Sequence, residues 1–300
     1  MVRSEEVCFM PDGTNIEYIV CGSGPKLLLI HGSQRTPEEI ENLIKILSGR
    51  FTVYCADRRG WGGSGTKGRE YSMKKECEDA ARFLTDYGID YVFGDDYGAV
   101  IALHLALCCN LKKIILFEPY LTSFRNIKWT AKTARQVEKN DYFGAMVTHV
   151  KGSNHRIRYM PDFLFKHILK RSSFSVDPYK RLMTEMYEYD DPQRQARHKK
   201  DIESGEWKHH KRMLQNISAE INAAKQAEPE FGKLYSMTSD TLIICERGCE
   251  PYVFVAADKL SALLPNSKKI VVDMSSDEKN PSSPDFMESI ARFISDGRVL

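Results

Sequence analysis

Residues 94–98 read Gly-Asp-Asp-Tyr-Gly, between the apolar runs Tyr91-Val92-Phe93 and Ala99-Val100-Ile101-Ala102-Leu103. The first run has the length of a short buried strand, and the second reads as a helix. The pentapeptide is thus a strand–turn–helix junction with Asp96 at its apex. Gly94 and Gly98 allow strand and helix to approach closely, and Ala99 keeps the helix start narrow. A carboxylate presented there can attack carbon or accept a proton, and the helix dipole favours its anion. It also has a purely structural use, because Asp is a favoured N-cap for the first N–H groups of a helix.

Alternating strand and helix patterns surround this junction. Strands are expected at Glu6–Met10, Ile16–Cys21, Lys26–Ile30, Phe51–Ala56, Tyr91–Gly94 and Lys112–Phe117, with Pro11-Asp12-Gly13 turning the first into the second. Apolar residues at i, i+3, i+4 spacing predict helices at Pro37–Leu47, Ser72–Tyr87 and Tyr97–Cys109. From Leu121 to about Ser239 the strand signal disappears, and the helices expected there include Asp162–Lys170, Pro178–Tyr189 and Glu206–Ala227. Alternation resumes with strands Thr241–Cys245 and Lys269–Asp273 and helices Val253–Leu264 and Pro284–Ser295. The expected class is α/β, a mostly parallel central sheet flanked by helices. A helical cap, residues 121–239, interrupts a core of residues 1–120 and 240–300.

Composition narrows the partners. Of the chain's 300 residues, 42% are apolar, enough for a well-filled core. No run reaches the roughly 20 apolar residues of a membrane span, and Met1-Val2-Arg3-Ser4-Glu5-Glu6 lacks the apolar segment of a signal peptide. The sequence therefore reads as soluble and cytoplasmic, with no membrane partner. Residues 122–238 hold 22 Lys/Arg against 14 Asp/Glu, and the rest of the chain 21 against 27. The basic segment suits an anionic small molecule, or is a solvated helical face. Basic residues alternate with acidic ones and no nucleic-acid-binding motif is present. Neither a G-x-G-x-x-G nor a P-loop occurs, so no cofactor is expected. The eight cysteines form no C-x-x-C pair, which points to buried reduced thiols and away from a metal site. The sequence says nothing of oligomeric state.

In this order along the chain, four motifs resemble those of the α/β-hydrolase fold. His31-Gly32-Ser33 follows the third strand like the family's oxyanion loop, and Asp57-Arg58-Arg59-Gly60-Trp61-Gly62-Gly63-Ser64-Gly65 is similar to its D-x-R-G-x-G-x-S. The junction at Asp96 is similar to its nucleophile elbow, Gly-x-Ser-x-Gly, with Asp in place of Ser. Phe117-Glu118-Pro119 follows the sixth strand, where some members carry a triad acid. The resemblance implies that the backbone N–H groups of Ser33 and Tyr97 form a two-donor oxyanion hole. It implies a structural, loop-orienting role for His31.

The family's triad would continue with an acid after the Thr241–Cys245 strand, where Glu250 stands, and a histidine after the Lys269–Asp273 strand. There the chain reads Met274-Ser275-Ser276-Asp277-Glu278-Lys279, and it has no histidine beyond His210. Serine-type hydrolysis is excluded, because both the hydroxyl and its imidazole base are missing. Epoxide hydrolases and haloalkane dehalogenases of this fold do use an Asp, but a histidine then activates water to release the ester. The epoxide hydrolases' proline two places after His-Gly is also replaced, by Gln34. What remains is an all-carboxylate set, Asp96 with Glu250 and Asp277 or Glu278, capable of acid/base work if neighbouring charges raise one pKa. Three functions follow: a cofactor-free non-hydrolytic enzyme for elimination, isomerisation or cyclisation; an inactive ligand- or partner-binding protein; or an Asp-nucleophile hydrolase. His104 is expected to be a core residue, and His198 and His209-His210 to lie among solvated charges. The aromatics Phe124, Trp129, Tyr142, Phe143, Tyr159, Phe163, Phe165 and Tyr187 would line a lid or its core.

Overall fold

The computed structural model describes residues 3–33, 40–121, 128–153, 159–165, 208–273 and 284–295. They fall into two compact units, Met1–Asn126 with Asn222–Leu300, and Ile127–Ile221.

The first unit is built on an eight-stranded sheet in the order β1-β2-β4-β3-β5-β6-β7-β8. The strands are β1 (Arg3–Phe9), β2 (Asn15–Cys21), β3 (Lys26–Ile30), β4 (Thr52–Ala56), β5 (Tyr91–Asp95), β6 (Lys113–Phe117), β7 (Asp240–Glu246) and β8 (Ser267–Val272). β2 runs antiparallel to β1 and β4, and every other pairing is parallel. The expected turn at Pro11-Asp12-Gly13 closes the first hairpin, with Gly13 at φ 80°. β1 begins three residues earlier than its apolar pattern suggests. It is an edge strand with Val7 and Phe9 exposed, so nothing requires its residues to alternate cleanly.

Strands buried on both faces divide their side chains with period two. Leu28, Ile30, Val92, Ile114, Leu116 and Ile243 face one apolar layer. Leu27, Leu29, Phe93, Ile115, Phe117 and Ile244 face the other. The first layer is covered by α2 (Met73–Tyr87), α3 (Tyr97–Cys108) and the later helix Pro251–Leu263. The second is covered by α1 (Glu41–Ser48) and the helix Pro284–Ser295. α2 starts at Ser72, whose Oγ accepts the Lys75 N–H at 3.3 Å, and stops at Gly88 in the left-handed conformation. α3 is apolar nearly all round, and all its residues from Tyr97 to Leu105, His104 included, are buried. Of the expected helix Pro37–Leu47, residues 37–39 lie outside the described residues.

The second unit contains α4 (Lys128–Glu138), α5 (Tyr142–Ser153) and the first part of α6 (Lys208–Ala227). Asp141 Oδ1 accepts the Gly144 N–H at 2.9 Å and caps α5. Trp129 of α4 packs edge-on against buried His149 of α5, with ring centroids 5.4 Å apart. Burial in that apolar contact pushes the His149 pKa down to about 4. Phe165 is buried, whereas Tyr159 and Phe163 are exposed. Residues 162–165 are helical, and the expected helix Pro178–Tyr189 lies outside the described residues, as do Phe124, Tyr187 and His198. After α6 a 3-10 helix, Glu228–Ser236, escapes a 3.6-residue period because Pro229 opens it and Gly232 interrupts it. It is followed by α7 (Pro251–Leu263) and α8 (Pro284–Ser295).

Candidate active site

The glycines around Asp96 are required by close approach. A Cβ at Gly98 would overlap the carbonyl oxygen of Ile30, and one at Gly94 would overlap the start of α3. Strand β5 therefore delivers the chain into α3 with no room for a gradual bend. The result is Asp96 at φ 52°, ψ −111°, an unfavourable conformation for any residue but glycine. Main-chain hydrogen bonds hold it there: its N–H to Phe117 O at 2.9 Å, and its carbonyl oxygen from the Ala99 N–H at 3.1 Å and the Tyr120 N–H at 3.3 Å. The Asp96 side chain makes no capping hydrogen bond to α3. It turns instead toward the loop after β3, where its Oδ2 accepts the Ser33 N–H at 3.2 Å. One carboxylate oxygen is thereby fixed. Gly32 allows this contact, since a Cβ there would stand 2.9 Å from Asp96 Cβ and 3.0 Å from Oδ2.

That loop is itself held from below. His31 is fully buried, and its Nε2 accepts the Arg58 N–H at 3.0 Å. The neutral ring must then carry its proton on Nδ1, which donates to Gly32 O at 2.8 Å. With both nitrogens engaged by main chain, His31 is an orienting residue. The Arg58 guanidinium donates to His31 O at 2.9 Å, Gly32 O at 3.0 Å and Glu76 Oε1 at 2.7 Å. It lies over the Tyr97 ring, 5.0 Å from the centroid. Tyr97 is accordingly buried, its ring part of the support for the loop.

On the other side of Asp96, the ends of β6 and β7 bring in further polar groups. Glu118 also has positive φ, 47°, and its Oε1 accepts the Glu246 N–H at 3.2 Å. Tyr120 follows, bonded through its N–H to Asp96, with its ring edge-on to Tyr252 at 5.9 Å. Burial, reinforced by Tyr252 and the Asp96 charge, pushes the Tyr120 phenol well above its ordinary range, so it stays a hydrogen-bond donor. Tyr252 stands in the first turn of α7, and Glu250 immediately precedes that helix without capping it.

His31, Gly32, Ser33, Asp96 and Tyr97 therefore come together, and Glu250 is linked to them along the chain through Tyr252 and Tyr120. Asp277 and Glu278 lie outside the described residues. The pattern of the sequence did not single out Tyr120, because a tyrosine after a strand carries no periodic or motif signal. The support given by Glu76 was equally hidden, since a helical glutamate reads as solvent-facing until its burial is seen. A cavity of about 30 Å³ lined by Ile16, Leu28, Ile30, Arg58, Glu76 and Phe83 lies in the layer between sheet and α2. It has room for about a water molecule or two and not for a substrate.

No protein-family model matches this chain. The uncharacterized hydrolase YraK of Bacillus subtilis (strain 168) is 36% identical over 99 residues, 32% of this chain and 36% of that protein. The soluble epoxide hydrolase of Corynebacterium sp. (strain C12) is 31% identical over 99 residues, 32% of this chain and 35% of that protein. The fluoroacetate dehalogenase of Burkholderia sp. is 31% identical over 99 residues, 31% of this chain and 33% of that protein. The chain thus matches about a third of the length of these relatives. Similarity to solved structures is far more extensive. An alpha/beta hydrolase from Sphaerobacter thermophilus DSM 20745 superimposes with a TM-score of 0.65 at 19% identity, over 97% of this chain and 100% of that one. A hydrolase from Pseudomonas aeruginosa PA01 gives 0.64 at 15% identity, over 97% and 98%.

Proposed function

We propose that this protein, which has the α/β-hydrolase fold, is a cofactor-free enzyme whose reactive group is the Asp96 carboxylate. The observation that carries this reading is the strained Asp96 itself, which does not cap α3 and has Oδ2 tied to the Ser33 N–H. An N-cap role would require the bond that is missing. With Oδ2 anchored to the Ser33 N–H, the orientation of the whole carboxylate is set by the backbone.

Proton abstraction is the step that suits the remaining groups. The chain has no histidine beyond His210, so the imidazole that would release an ester after β8 is absent from its place. A carboxylate that takes a proton from carbon and returns it, or lets a leaving group depart, needs no such base. Tyr120 can donate a hydrogen bond as charge develops, and Glu250 with Asp277 or Glu278 supplies further carboxyl groups. Elimination, isomerisation or cyclisation of a small molecule is the reaction class, with the basic balance of residues 122–238 favouring an anionic one.

The test follows carbon-bound protons. The protein is incubated in deuterium oxide with a panel of small 2-oxo and 3-oxo acids, and loss of each C–H signal is followed by NMR. Exchange or conversion by the native protein, lost by at least 100-fold in Asp96→Asn, is the expected result. Equal rates for the two proteins across the panel would sink the reading.

A second reading, attack of Asp96 on carbon, is favoured by the relatives named as an epoxide hydrolase and a dehalogenase. With no histidine to release it, the ester should accumulate. Intact mass spectrometry after exposure to styrene oxide or fluoroacetate would then show a single adduct in the native protein and none in Asp96→Asn.

A further inference from the structure

The turn that follows β7 holds two cysteines, Cys245 near the end of the strand and Cys249 four residues on, and both are free. Cys249 N–H closes the turn on Glu246 O at 3.1 Å, while Arg247 N–H bonds Val272 O at 2.9 Å and ties the turn to β8. This fold-back packs both thiols against the same apolar layer and lets Cys249 donate a hydrogen bond toward Cys245. Cys245 is buried, in the apolar layer under α7, and Cys249 is partly buried against it. The two cysteines thus flank a tight turn and pack in the same apolar layer, the close placement that a disulfide requires.

We infer that Cys245 and Cys249 are a reversible disulfide site, oxidised by low-molecular-weight disulfides that enter through Cys249, the less buried of the two. The inference is independent of what Asp96 does.

The two thiols have different parts in this chemistry. The hydrogen bond from Cys249 lowers the pKa of Cys245, and donating it holds Cys249 in the thiol form. Cys249 gives up its proton to water as an incoming disulfide arrives. The Cys249 thiolate attacks one sulfur of the reagent, its S–S bond breaks, and the leaving thiolate departs with a proton from water. Cys245 then gives up its proton and attacks Cys249 Sγ. The mixed disulfide breaks, a second small thiol leaves, and the internal disulfide forms. In total two protein thiols are oxidised and one small disulfide is reduced to two thiols. The next residue is Glu250, so the site is built into the segment that leads to α7 and Tyr252.

Trypsin makes the pair easy to read, because Arg247 lies between the cysteines and cleavage separates peptides 234–247 and 248–259. The full-length protein is equilibrated in glutathione mixtures of increasing oxidised fraction, acid-quenched, alkylated unfolded and digested. The expected result is a cross-linked 234–247/248–259 species that rises as both reduced peptides fall together and disappears with dithiothreitol. Cys249→Ser should abolish it, and Cys245→Ser should stop at a glutathione adduct on Cys249. A wild-type protein that gathers glutathione on Cys249 with no cross-link, or that pairs either cysteine elsewhere, would overturn the inference.

Discussion

Gly32→Ala, made alone and with Asp96→Gly, probes the contact on which the site depends. A Cβ at Gly32 would lie 2.9 Å from Asp96 Cβ, 3.0 Å from Asp96 Oδ2 and 3.2 Å from Asp95 O. The two shortest contacts belong to one side chain, and that side chain cannot swing aside without losing the Ser33 N–H. Overpacking of this kind costs about 1–3 kcal/mol. The lost backbone freedom of the unfolded glycine offsets about 0.4–1 kcal/mol of it. The expected net destabilisation in the native background is thus about 1–2 kcal/mol. With Asp96→Gly both close atoms are gone, and Gly32→Ala should be nearly neutral. Any strain that Asp96→Gly relieves at φ 52° cancels in the double-mutant cycle. Urea unfolding of the four proteins, followed by circular dichroism, measures the coupling from shifts in midpoint at constant slope. Additivity to within about 0.5 kcal/mol would show that Gly32 and Asp96 do not share this space, and would refute the geometry of the site.

Two further outcomes follow from buried charges. Glu76→Gln should destabilise the protein by about 3 kcal/mol, because it leaves Arg58 and Lys67, both almost fully buried, without their shared carboxylate; a loss below about 1 kcal/mol in urea would show that the carbonyl contacts of Arg58 suffice. His149 is depressed to about 4 by burial, below its unfolded value near 6.5, so the unfolded state takes up a proton first as pH falls. Its contribution is complete above pH 6.5 and is lost between there and pH 4, by about 3 kcal/mol. His149→Gln should flatten that part of the stability–pH curve relative to the native protein, and parallel curves would contradict the assignment.

The sheet was legible because its determinants are local and repeated. Strands such as Lys26–Ile30 announce themselves as apolar runs bounded by turn residues, and their burial on both faces needs no polar alternation. Gly94 and Gly98 could be assigned from the sequence because a strand entering a helix over three residues leaves no space for side chains. The site's inner supports could not. Arg58, Arg59, Glu76 and Asp79 are charged residues in polar-looking stretches, and only the return of α2 onto the Asp57–Gly65 loop buries them and pairs Arg58 with Glu76 and Arg59 with Asp79. Nor could spacing reveal that the Ser33 N–H would be given to Asp96. An oxyanion hole and a carboxylate anchor use the same donor, and the side chain at the apex decides which is formed.

Strain helps to weigh chemistry against mere scaffolding. Asp96 and Glu118 are at positive φ at the ends of neighbouring strands, joined by the bond from Asp96 N–H to Phe117 O. Each such residue costs on the order of 1–3 kcal/mol, which glycine would largely avoid. A protein that only needed the fold could place glycine at both positions. Retaining carboxylates there is reasonable where their side chains have work that glycine cannot do. Glu118 has a visible structural task, accepting the Glu246 N–H and tying β6 to β7. Asp96 has a different one: its Oδ2 accepts the Ser33 N–H at 3.2 Å, across to the loop after β3, and its side chain does not cap α3. Of the two, only Asp96 stands at the turn into α3 with its carboxylate directed to the Ser33 loop. It is therefore the carboxylate that a substrate should meet first.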